Sequence, residues 1–339
     1  MAKPAPSSPS AKKKKAAVFA PSVAVILPCY RETAHILGVI EGIGPEVSAI
    51  YVVDDDCPDK TGAFVEEKCA DKRVRVIFQR PNTGVGGAMV RGYREALEDG
   101  HDILVKMDGD GQMDASLIAN LIAPILGKRA DYVKGNRFHK MESVSAMPKS
   151  RIIGNIVLSF MSKLSSGYWS VFDPTNGFTA LHKTAAARLP LDRLSKGYFF
   201  ESDMLFRLGM VRAVVEDIPM DAIYGTETSG ISIPKIIPEF IAKHYMCACK
   251  RIYFTYFLSD FGLPGMQLLL GKLLLAFGLV FGGIKWMESD ATGIPATAGT
   301  VVLAALPIIL GMQFLISFLN HDTKNMPTKP LADADTQNP

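Results

Sequence analysis

Two long apolar segments near the C-terminus constrain this chain more than any other feature. The first, 262–285, is nearly all apolar and has Lys272 as its one charge before Lys285 at its end, and the second, 295–319, carries no charge. As a helix, each segment is long enough to cross a hydrocarbon core of about 30 Å. The sequence therefore predicts two transmembrane helices at 261–320, in agreement with an overall hydrophobic content of 48%.

Charges on either side of these segments predict their orientation. The connector, 286–294, holds two acidic residues and no basic one, whereas cations precede and follow the pair at Lys243, Lys250, Arg251, Lys324 and Lys329. By the positive-inside rule, both termini and the preceding domain lie in the cytosol, at an inner (cytoplasmic) membrane. The net charge of +3 is too small to indicate nucleic acid as a partner.

The segments at the ends of the chain and before the apolar pair have distinct compositions. Residues 231–260 are rich in aromatic residues and cations, which predicts amphipathic helices at the head-group level of a bilayer, with an ordinary buried helix as the alternative. Residues 1–21 and 321–339 hold few large apolar side chains and are expected to be disordered tails. The first tail is basic, so binding to anionic lipid is an alternative for it. The five cysteines show no metal-ligand spacing and are interpreted as reduced packing residues.

Short apolar runs alternate with helical segments over the first half of the chain. Predicted strands occupy 23–28, 49–53, 74–79, 102–107 and 130–138, and the predicted helices between them occupy 32–43, 59–70, 85–99 and 114–126. This alternation predicts an α/β domain at 22–230 with a mostly parallel, Rossmann-like sheet covered on both faces. In such sheets ligands bind beyond the carboxyl ends of the strands.

Polar clusters follow three of the predicted strands, at 28–32, 54–59 and 108–112. In the third cluster Asp108 and Asp110 lie two residues apart on a turn, where they can share one hard divalent cation. Gln112 adds an oxygen ligand, and Asn82 and Gly84 open a glycine-rich turn. Mg²⁺ or Mn²⁺ at this position would take its remaining ligands from water and substrate phosphates. An Asp-Gly turn without a metal is the structural alternative.

Together these motifs resemble those of the family 2 glycosyltransferases, and within them the polyprenyl-phosphate glycosyltransferases, a group that includes dolichol-phosphate mannose synthase. The matching stretches are LPCYRE, VVDDDCPDKT, NTGVGGAMVRG, MDGDGQMD, KGNRF and DPTNGF. The resemblance covers about residues 21–230 and implies a GT-A catalytic domain. Two C-terminal membrane spans occur in one branch of that family, and such hairpins often assemble, so the resemblance allows a homo-oligomer.

The resemblance also implies roles for individual residues. The nucleotide sugar would be held at Pro28, Tyr30, Glu32, Val53, Asp54, Asp55, Asn82, Gly84, Asp108 and Gly109. The metal would be bound by Asp108, Asp110 and Gln112. Arg137 and Arg151 would bind the acceptor phosphate, because a guanidinium grips phosphate through two hydrogen bonds; surface ion pairs are the alternative for both. Asp173 and Asn176 would shape the turn near the acceptor.

The need for a general base depends on the acceptor. A phosphomonoester has a second pKa near about 6 and is already largely dianionic at cytosolic pH, so it needs no base. A sugar hydroxyl needs a carboxylate to accept its proton. Glu201 and Asp203 lie where inverting GT-A enzymes place that base, and acids at a helix N-terminus or in a structural ion pair are the alternative.

Two motifs depart from the family pattern. The family carries RxxGxSK after its last strand, whereas this chain has Glu227 and Ile233 at the two cationic positions and Lys235 two residues late. In the second motif Asp56 and Cys57 replace the usual Gly-Ser, a milder change.

The sequence predicts metal-dependent, inverting transfer of a hexose from a GDP-mannose-type or UDP-glucose-type donor to undecaprenyl or dolichyl phosphate, in the synthesis of cell-envelope glycans. The first alternative is a glycosyltransferase that extends a lipid-linked oligosaccharide or polysaccharide, with Asp203 or Glu201 as base. The second is a non-catalytic membrane scaffold that binds a nucleotide sugar, to which the departures at Glu227 and Ile233 give some weight.

Overall fold

A seven-stranded sheet forms the centre of the molecule. The structure, a computed structural model, describes residues 21–139, 149–221 and 233–335. In chain order the strands are β1 Val23–Cys29, β2 Ala49–Asp55, β3 Val74–Gln79, β4 Ile103–Lys106, β5 Tyr132–Asn136, β6 Thr179–His182 and β7 Val215–Pro219. They lie side by side in the order β3-β2-β1-β4-β6-β5-β7. Only β6 is antiparallel to its neighbours, β4 and β5, so the prediction of a mostly parallel sheet is confirmed.

Helices connect the strands and continue beyond the sheet. In chain order they are α1 Ile36–Gly42, α2 Thr61–Lys68, α3 Val85–Glu98, α4 Ile118–Leu126, α5 Lys149–Ser166, α6 Lys183–Arg188, α7 Phe200–Met210, α8 Ile233–Tyr253, α9 Leu263–Thr292, α10 Ala298–Lys324 and α11 Leu331–Asp335. Short 3₁₀ turns occupy Ala115–Leu117 and Leu191–Arg193, and a π-helical turn, Phe254–Ser259, follows α8. The first helix is shorter than predicted, because the Glu32 carbonyl accepts hydrogen bonds from His35 and Ile36 and forms a turn there.

The sheet is covered on both faces, as predicted. One core lies between the sheet and α1 and α4, with buried residues such as Ile36, Val39 and Leu121. The other core lies between the sheet and α3, α6 and α7, with Met89 and Leu205 among its buried residues. Alternating side chains of the strands feed the two cores, since successive residues point to opposite faces.

Helices α9 and α10 form the expected apolar pair, and both are long and apolar enough to cross a membrane. They pack closely through small residues: a Cβ on Gly311 would lie 2.8 Å from the Leu275 nitrogen, and one on Gly278 would lie 2.8 Å from the Ala304 carbonyl oxygen. Small residues of this kind allow helix backbones to approach in a bilayer. Lys272 is exposed on the surface of α9.

The segment after α10 differs from the expectation of a disordered tail at 321–339. Helix α10 continues to Lys324, and α11 then packs back against the sheet domain. The Leu331 side chain is buried in the core that holds α3, and its backbone N–H donates to both carboxylate oxygens of Asp131, at 2.8 and 3.0 Å. Two contacts therefore hold this segment in place: the buried Leu331 side chain, and the hydrogen bonds from its N–H to the buried Asp131 carboxylate. The predicted tail at 1–21 and the departure at Glu227 lie outside the described residues, apart from position 21 itself.

Two helical glycines provide a test of the packing. A Cβ on Gly92 of α3 would overlap the Cγ2 methyl of Ile26 on β1, whereas a Cβ on Gly38 of α1 would meet no atom within 4 Å. Gly92→Ala is therefore expected to destabilise the protein by about 1–3 kcal/mol through overpacking. Gly38→Ala is expected to stabilise it by about 0.5–1 kcal/mol, because alanine favours the helix. Thermal unfolding measures both, and equal midpoints would contradict the close approach of α3 to β1.

Candidate active site

Polar residues from several elements meet at one edge of the sheet. Strands β2, β1 and β4 are neighbours and run parallel, so the loops that follow them adjoin at their carboxyl ends. The antiparallel β6 begins at this same edge, because its first residue, Thr179, is paired with Lys106 at the end of β4. The direction of the connections reverses beside β1, which is where ligands bind in sheets of this kind.

The acidic turn after β4 has a defined geometry. The Asp110 Oδ1 atom accepts a hydrogen bond from the Gln112 backbone N–H at 2.9 Å. Between them Gly111 has a φ of +76°, a value that favours glycine over other residues. The Asp108 side chain is 32% exposed and that of Gln112 is half-buried, so both are within reach of a ligand at this edge.

A buried lysine lies directly beneath the acidic turn. Lys106 is 1% exposed, and its Nζ lies 2.7 Å from Asp108 Oδ1 and 3.2 Å from Glu201 Oε1 at the N-terminus of α7. Burial alone would lower the pKa of Lys106, but Asp108 and Glu201 outweigh it and raise the pKa above its ordinary value. Sequence reasoning missed this residue, although a lysine in the apolar strand DILVKM was a signal for it.

A second buried lysine lies on the same face of the sheet. Thr179 pairs with Lys106 on one side and with Lys134 of β5 on the other. The Lys134 Nζ donates a hydrogen bond to the Asn176 carbonyl, and burial lowers the pKa of Lys134 to about 8, partly offset by Asp173 and Glu201.

The turn between Asp173 and β6 covers the two lysines. A Cβ on Gly177 would lie 2.7 Å from Asp108 Oδ2 and would overlap Lys106 Nζ. Asn176 is buried and donates through Nδ2 to the Gly135 carbonyl at 2.8 Å, so the turn is also fastened to β5. The stretch DPTNG thus shapes the wall beside the acidic turn.

The acidic residues after β2 hold loops. Asp54 accepts hydrogen bonds from the backbone N–H groups of Cys57 and Gly62, at 2.8 and 2.6 Å. Asp55 accepts from those of Thr83 and Gly84, at 2.9 and 2.7 Å. Both carboxylates are buried, so they order the walls of the edge through backbone contacts.

The remaining residues predicted to hold the donor differ in accessibility. Val53 is fully buried in the core, so any contact with a nucleoside would be through its backbone. Asn82 fixes its own loop by donating from Nδ2 to the Asp55 carbonyl at 2.7 Å. Pro28 is half-buried, and Gly109 is packed near Glu32, to which a Cβ at that position would come within 3.4 Å.

Tyr30 is an exposed aromatic side chain of this group. It is 46% exposed, and the Arg31 guanidinium carbon lies 5.4 Å from the centre of its ring. An exposed aromatic ring beside a cation offers a surface on which a planar base can stack.

The two predicted phosphate-binding arginines lie at different points. Arg137 follows β5 and forms a bidentate ion pair with Asp173, from Nε to Oδ2 at 2.7 Å and from Nη2 to Oδ1 at 2.9 Å. The Asp173 side chain is 1% exposed and that of Arg137 is 26% exposed. Arg151 lies in the first turn of α5, and its side chain is outside the described part of the structure.

Both base candidates are engaged in ion pairs at the start of α7. Glu201 contacts Lys106, as described above. The Asp203 Oδ2 atom accepts from the Ser195 backbone N–H at 2.8 Å and from Arg207 Nε at 3.0 Å. The structure therefore favours the structural alternative for these two acids, a helix N-terminus held by cations.

The oxygen atoms at the acidic turn suit a divalent cation. Asp108, Asp110 and Gln112 offer hard oxygen ligands, which Mg²⁺ prefers. Within the ranges that the structure describes, no group of three or more His, Cys, Asp or Glu side chains is assembled for a metal. A site with two carboxylates fits a cation that keeps several waters and takes further ligands from phosphate.

Comparison with known proteins decides the family. Residues 24–189 match the family described as Glycosyl transferase family 2. The chain is 30% identical over 214 residues to the UDP-N-acetylglucosamine--dolichyl-phosphate N-acetylglucosaminyltransferase of Methanococcus voltae, over 59% of this chain and 85% of that protein. The chain belongs to glycosyl transferase family 2. It is therefore a glycosyltransferase, and the resemblance drawn from its motifs is confirmed.

Further relatives of this glycosyltransferase agree in sequence and in fold. It is 32% identical over 203 residues to the undecaprenyl-phosphate mannosyltransferase of Micrococcus luteus, over 58% of this chain and 82% of that protein. Its fold matches glucosyl-3-phosphoglycerate synthase from Mycobacterium tuberculosis in complex with Mg²⁺ and UDP, with a TM-score of 0.51, 20% identity, and coverage of 68% of this chain and 80% of that chain. The predicted GT-A fold is thus confirmed.

The buried lysine generates a stability prediction. Lys106→Met would leave the carboxylates of Asp108 and Glu201 close together without a cation, which is expected to destabilise the protein by about 3 kcal/mol. The double variant Lys106→Met/Glu201→Gln lacks one of the two negative charges, so it should regain part of the lost stability. Lys183→Met, which breaks an exposed pair with Asp102, is the control and should change little. Thermal unfolding in detergent measures all three, and a Lys106→Met midpoint equal to that of the control would contradict the role of the buried cation.

Proposed function

We propose that this enzyme transfers a hexose from a nucleotide sugar of the GDP-mannose or UDP-glucose type to a polyprenyl phosphate, with inversion, at the cytosolic face of a membrane. A phosphate oxygen of the acceptor would form the new bond to the anomeric carbon. The bond from that carbon to the nucleoside diphosphate would break, and the diphosphate would leave with the bonding electrons. The relatives named above act on dolichyl and undecaprenyl phosphate, which supports this acceptor class.

We base the choice of acceptor on one observation: both candidates for the general base already bind protein groups. Glu201 shares the Lys106 ammonium with Asp108, and Asp203 is held by Arg207 and a backbone N–H. These contacts already occupy lone pairs of both carboxylates, whereas a general base has to accept a hydrogen bond from the acceptor hydroxyl. A phosphate acceptor needs no base, since it is already largely dianionic near neutral pH. This arrangement favours a polyprenyl phosphate over a sugar hydroxyl.

Arg137 is suited to position the acceptor phosphate. The buried Asp173 carboxylate fixes the plane of its guanidinium at the end of β5, on the same edge as the acidic turn. A guanidinium with a fixed plane favours bidentate contact with phosphate. Arg151, in the first turn of α5, would provide the second cation.

The outer surface of α5 and α8 supports a position against a bilayer. The exposed apolar residues of α5 recur at helical spacing, at Ile153, Ile156, Val157 and Phe160, and those of α8 do the same at Ile237, Ile241, Tyr245 and Tyr253. The two helices pack on each other, and α8 leads through the π-helical turn into α9. Exposed apolar stripes next to membrane-spanning helices are typical of segments that lie in the interface.

This arrangement supports a division of the chain into three parts. We propose a GT-A domain at 22–230, interfacial helices at 231–260 and membrane-spanning helices at 261–320, with the catalytic domain and both termini in the cytosol. Helix α5, inside the first range, would share the interface with α8 and bring Arg151 close to the head groups.

The donor would bind beside the acidic turn. Asp108, Asp110 and Gln112 would hold Mg²⁺ or Mn²⁺, and such a cation neutralises charge that develops on a diphosphate leaving group. The backbone at the ends of β1 and β2 and the ring of Tyr30 would hold the nucleoside. Lys106 would keep the Asp108 carboxylate oriented toward this edge.

Metal removal tests the donor site. Membranes that contain the enzyme are incubated with labelled nucleotide sugars and polyprenyl phosphate, with and without EDTA, and labelled lipid is measured. EDTA and Asp110→Asn are each expected to abolish transfer, and the affinity for GDP or UDP in the presence of Mn²⁺ should fall at least about tenfold in the variant. Transfer that persists in EDTA would contradict the metal site, and no labelled lipid with any donor would contradict the acceptor.

A pair of substitutions tests the acceptor. Arg137→Ala is expected to lower kcat/KM for polyprenyl phosphate about 100-fold, because it removes a preorganised contact with the reacting phosphate. Glu201→Gln should lower it less than about tenfold, whereas loss of a general base costs about 100-fold or more. Arg94→Ala, which breaks an exposed pair with Asp192, is the control. An inactive Glu201→Gln variant beside an active Arg137→Ala variant would favour the enzyme that extends a lipid-linked glycan.

A further inference from the structure

A buried ionic cluster joins the end of the second membrane-spanning helix to the catalytic domain. The junction cluster consists of Trp169, Arg251, Tyr256 and Asp322, together with the Leu164 carbonyl. Arg251 is 5% exposed and Asp322 is 3% exposed. They form two parallel hydrogen bonds, from Nη1 to Oδ1 at 2.7 Å and from Nη2 to Oδ2 at 2.9 Å.

The further contacts of the cluster come from several other elements. The Tyr256 hydroxyl of the π-helical turn donates to Asp322 Oδ1 at 2.6 Å. The Trp169 Nε1–H, between α5 and β6, donates to Asp322 Oδ2 at 3.0 Å. Arg251 of α8 donates from Nη2 to the carbonyl of Leu164 in α5 at 2.9 Å. One carboxylate at the end of α10 is thus bound by the catalytic domain, by α8 and by the turn that leads into α9.

A second attachment follows directly along the chain. From Lys324 the chain returns to the sheet, where the Leu331 N–H binds the Asp131 carboxylate and the Leu331 side chain enters the core. Asp131 is fully buried and also accepts a hydrogen bond from the Val214 N–H at 2.8 Å. The segment 326–335 is therefore a strap that fixes the end of α10 to the sheet.

We propose that the junction cluster and the strap position the active site at a fixed height and tilt above the bilayer, so that a membrane-embedded acceptor can reach it. This inference rests on the proposed polyprenyl phosphate acceptor. The phosphate of such a lipid stays at the head-group level, so the enzyme has to bring its site to that level. Small errors of position at a reacting centre cost much of the rate. An acceptor dissolved in water can reach the active site at any height above the bilayer. Its transfer rate should therefore not depend on the junction cluster or the strap.

The placement of charge supports a positioning role. A buried ion pair is weak evidence for stability, because apolar residues of the same shape often serve as well. A bidentate pair with two further donors, Tyr256 and Trp169, and one further acceptor, the Leu164 carbonyl, does define one geometry, since each contact has its own direction. At the point where two membrane-spanning helices meet a soluble domain, such a pair sets the angle between them.

Two variants with matched controls test the inference in the full-length enzyme in nanodiscs. Asp322→Asn keeps the shape of the side chain and removes its charge, and a chain that ends after Asn325 removes the strap. Thr323→Val, next to Asp322, and a chain that ends after Asp335, which keeps the strap, are the controls. The measurements are kcat and KM for undecaprenyl phosphate in the nanodisc, the same constants for a dissolved ten-carbon prenyl phosphate, and the Kd for GDP or UDP with Mn²⁺.

Both variants are expected to lose at least tenfold in kcat/KM for the bilayer acceptor. Their values for the dissolved acceptor and for nucleotide binding should stay within twofold of the wild type, as should all values for the controls. An unchanged rate with the bilayer acceptor, or an equal loss with both acceptors, would overturn the inference.

Hydrogen exchange tests the attachment of α10 to the catalytic domain independently of the proposed function. A wild-type enzyme that transfers sugar to neither acceptor would refute the proposed acceptor. In that case faster exchange of residues 318–331 in Asp322→Asn, with the sheet still protected, would still support the attachment. Unchanged exchange there would overturn it.

Discussion

The site depends on one pair of contacts, the ion pairs that the Lys106 ammonium forms with Asp108 and Glu201. The ammonium is buried under the acidic turn, where an unpaired charge of either sign would be costly. It ties the end of β4 to the N-terminus of α7, and the turn that contains Gly177 closes over it because a glycine leaves room. The same contact turns Glu201 from a base candidate into a structural partner. The proposal of a phosphate acceptor rests on this pairing, although Lys106 itself would supply no atom to the reaction.

In the function proposed above, the rest of the molecule brings this edge of the sheet, with its donor and acceptor sides, to a membrane. Parallel strands collect the donor-side loops at their carboxyl ends, and the antiparallel β6 adds the acceptor-side turn with Asp173. Arg137 is fixed by that buried carboxylate, and α5 and α8 present apolar stripes beside it. The junction cluster then joins these helices to α10. This arrangement supports the proposal that a soluble nucleotide sugar and a membrane-bound acceptor meet at one site.

Sequence patterns predicted the elements whose signals are local. Apolar runs and helical spacing located the first five strands and both long helices, and the motifs located the acidic turn. The patterns did not locate β6, a four-residue strand inside an irregular stretch. They also missed the Lys106–Glu201 and Arg251–Asp322 pairs, because ion pairs between residues 71 or more positions apart leave no local signal. The strap at Leu331 was expected to be disordered, since one apolar side chain among polar residues does not stand out until its pocket is known.

The central claim is that Asp108 and Asp110 bind a divalent metal. A crystal structure of the enzyme with nucleotide and Mn²⁺ tests it most directly, because anomalous scattering locates the metal without reference to activity. The account predicts one anomalous peak between the nucleotide phosphates and the carboxylates of Asp108 and Asp110, with Lys106 still beneath Asp108. Bound nucleotide with both carboxylates turned away from the phosphates, and no peak between them, would contradict it.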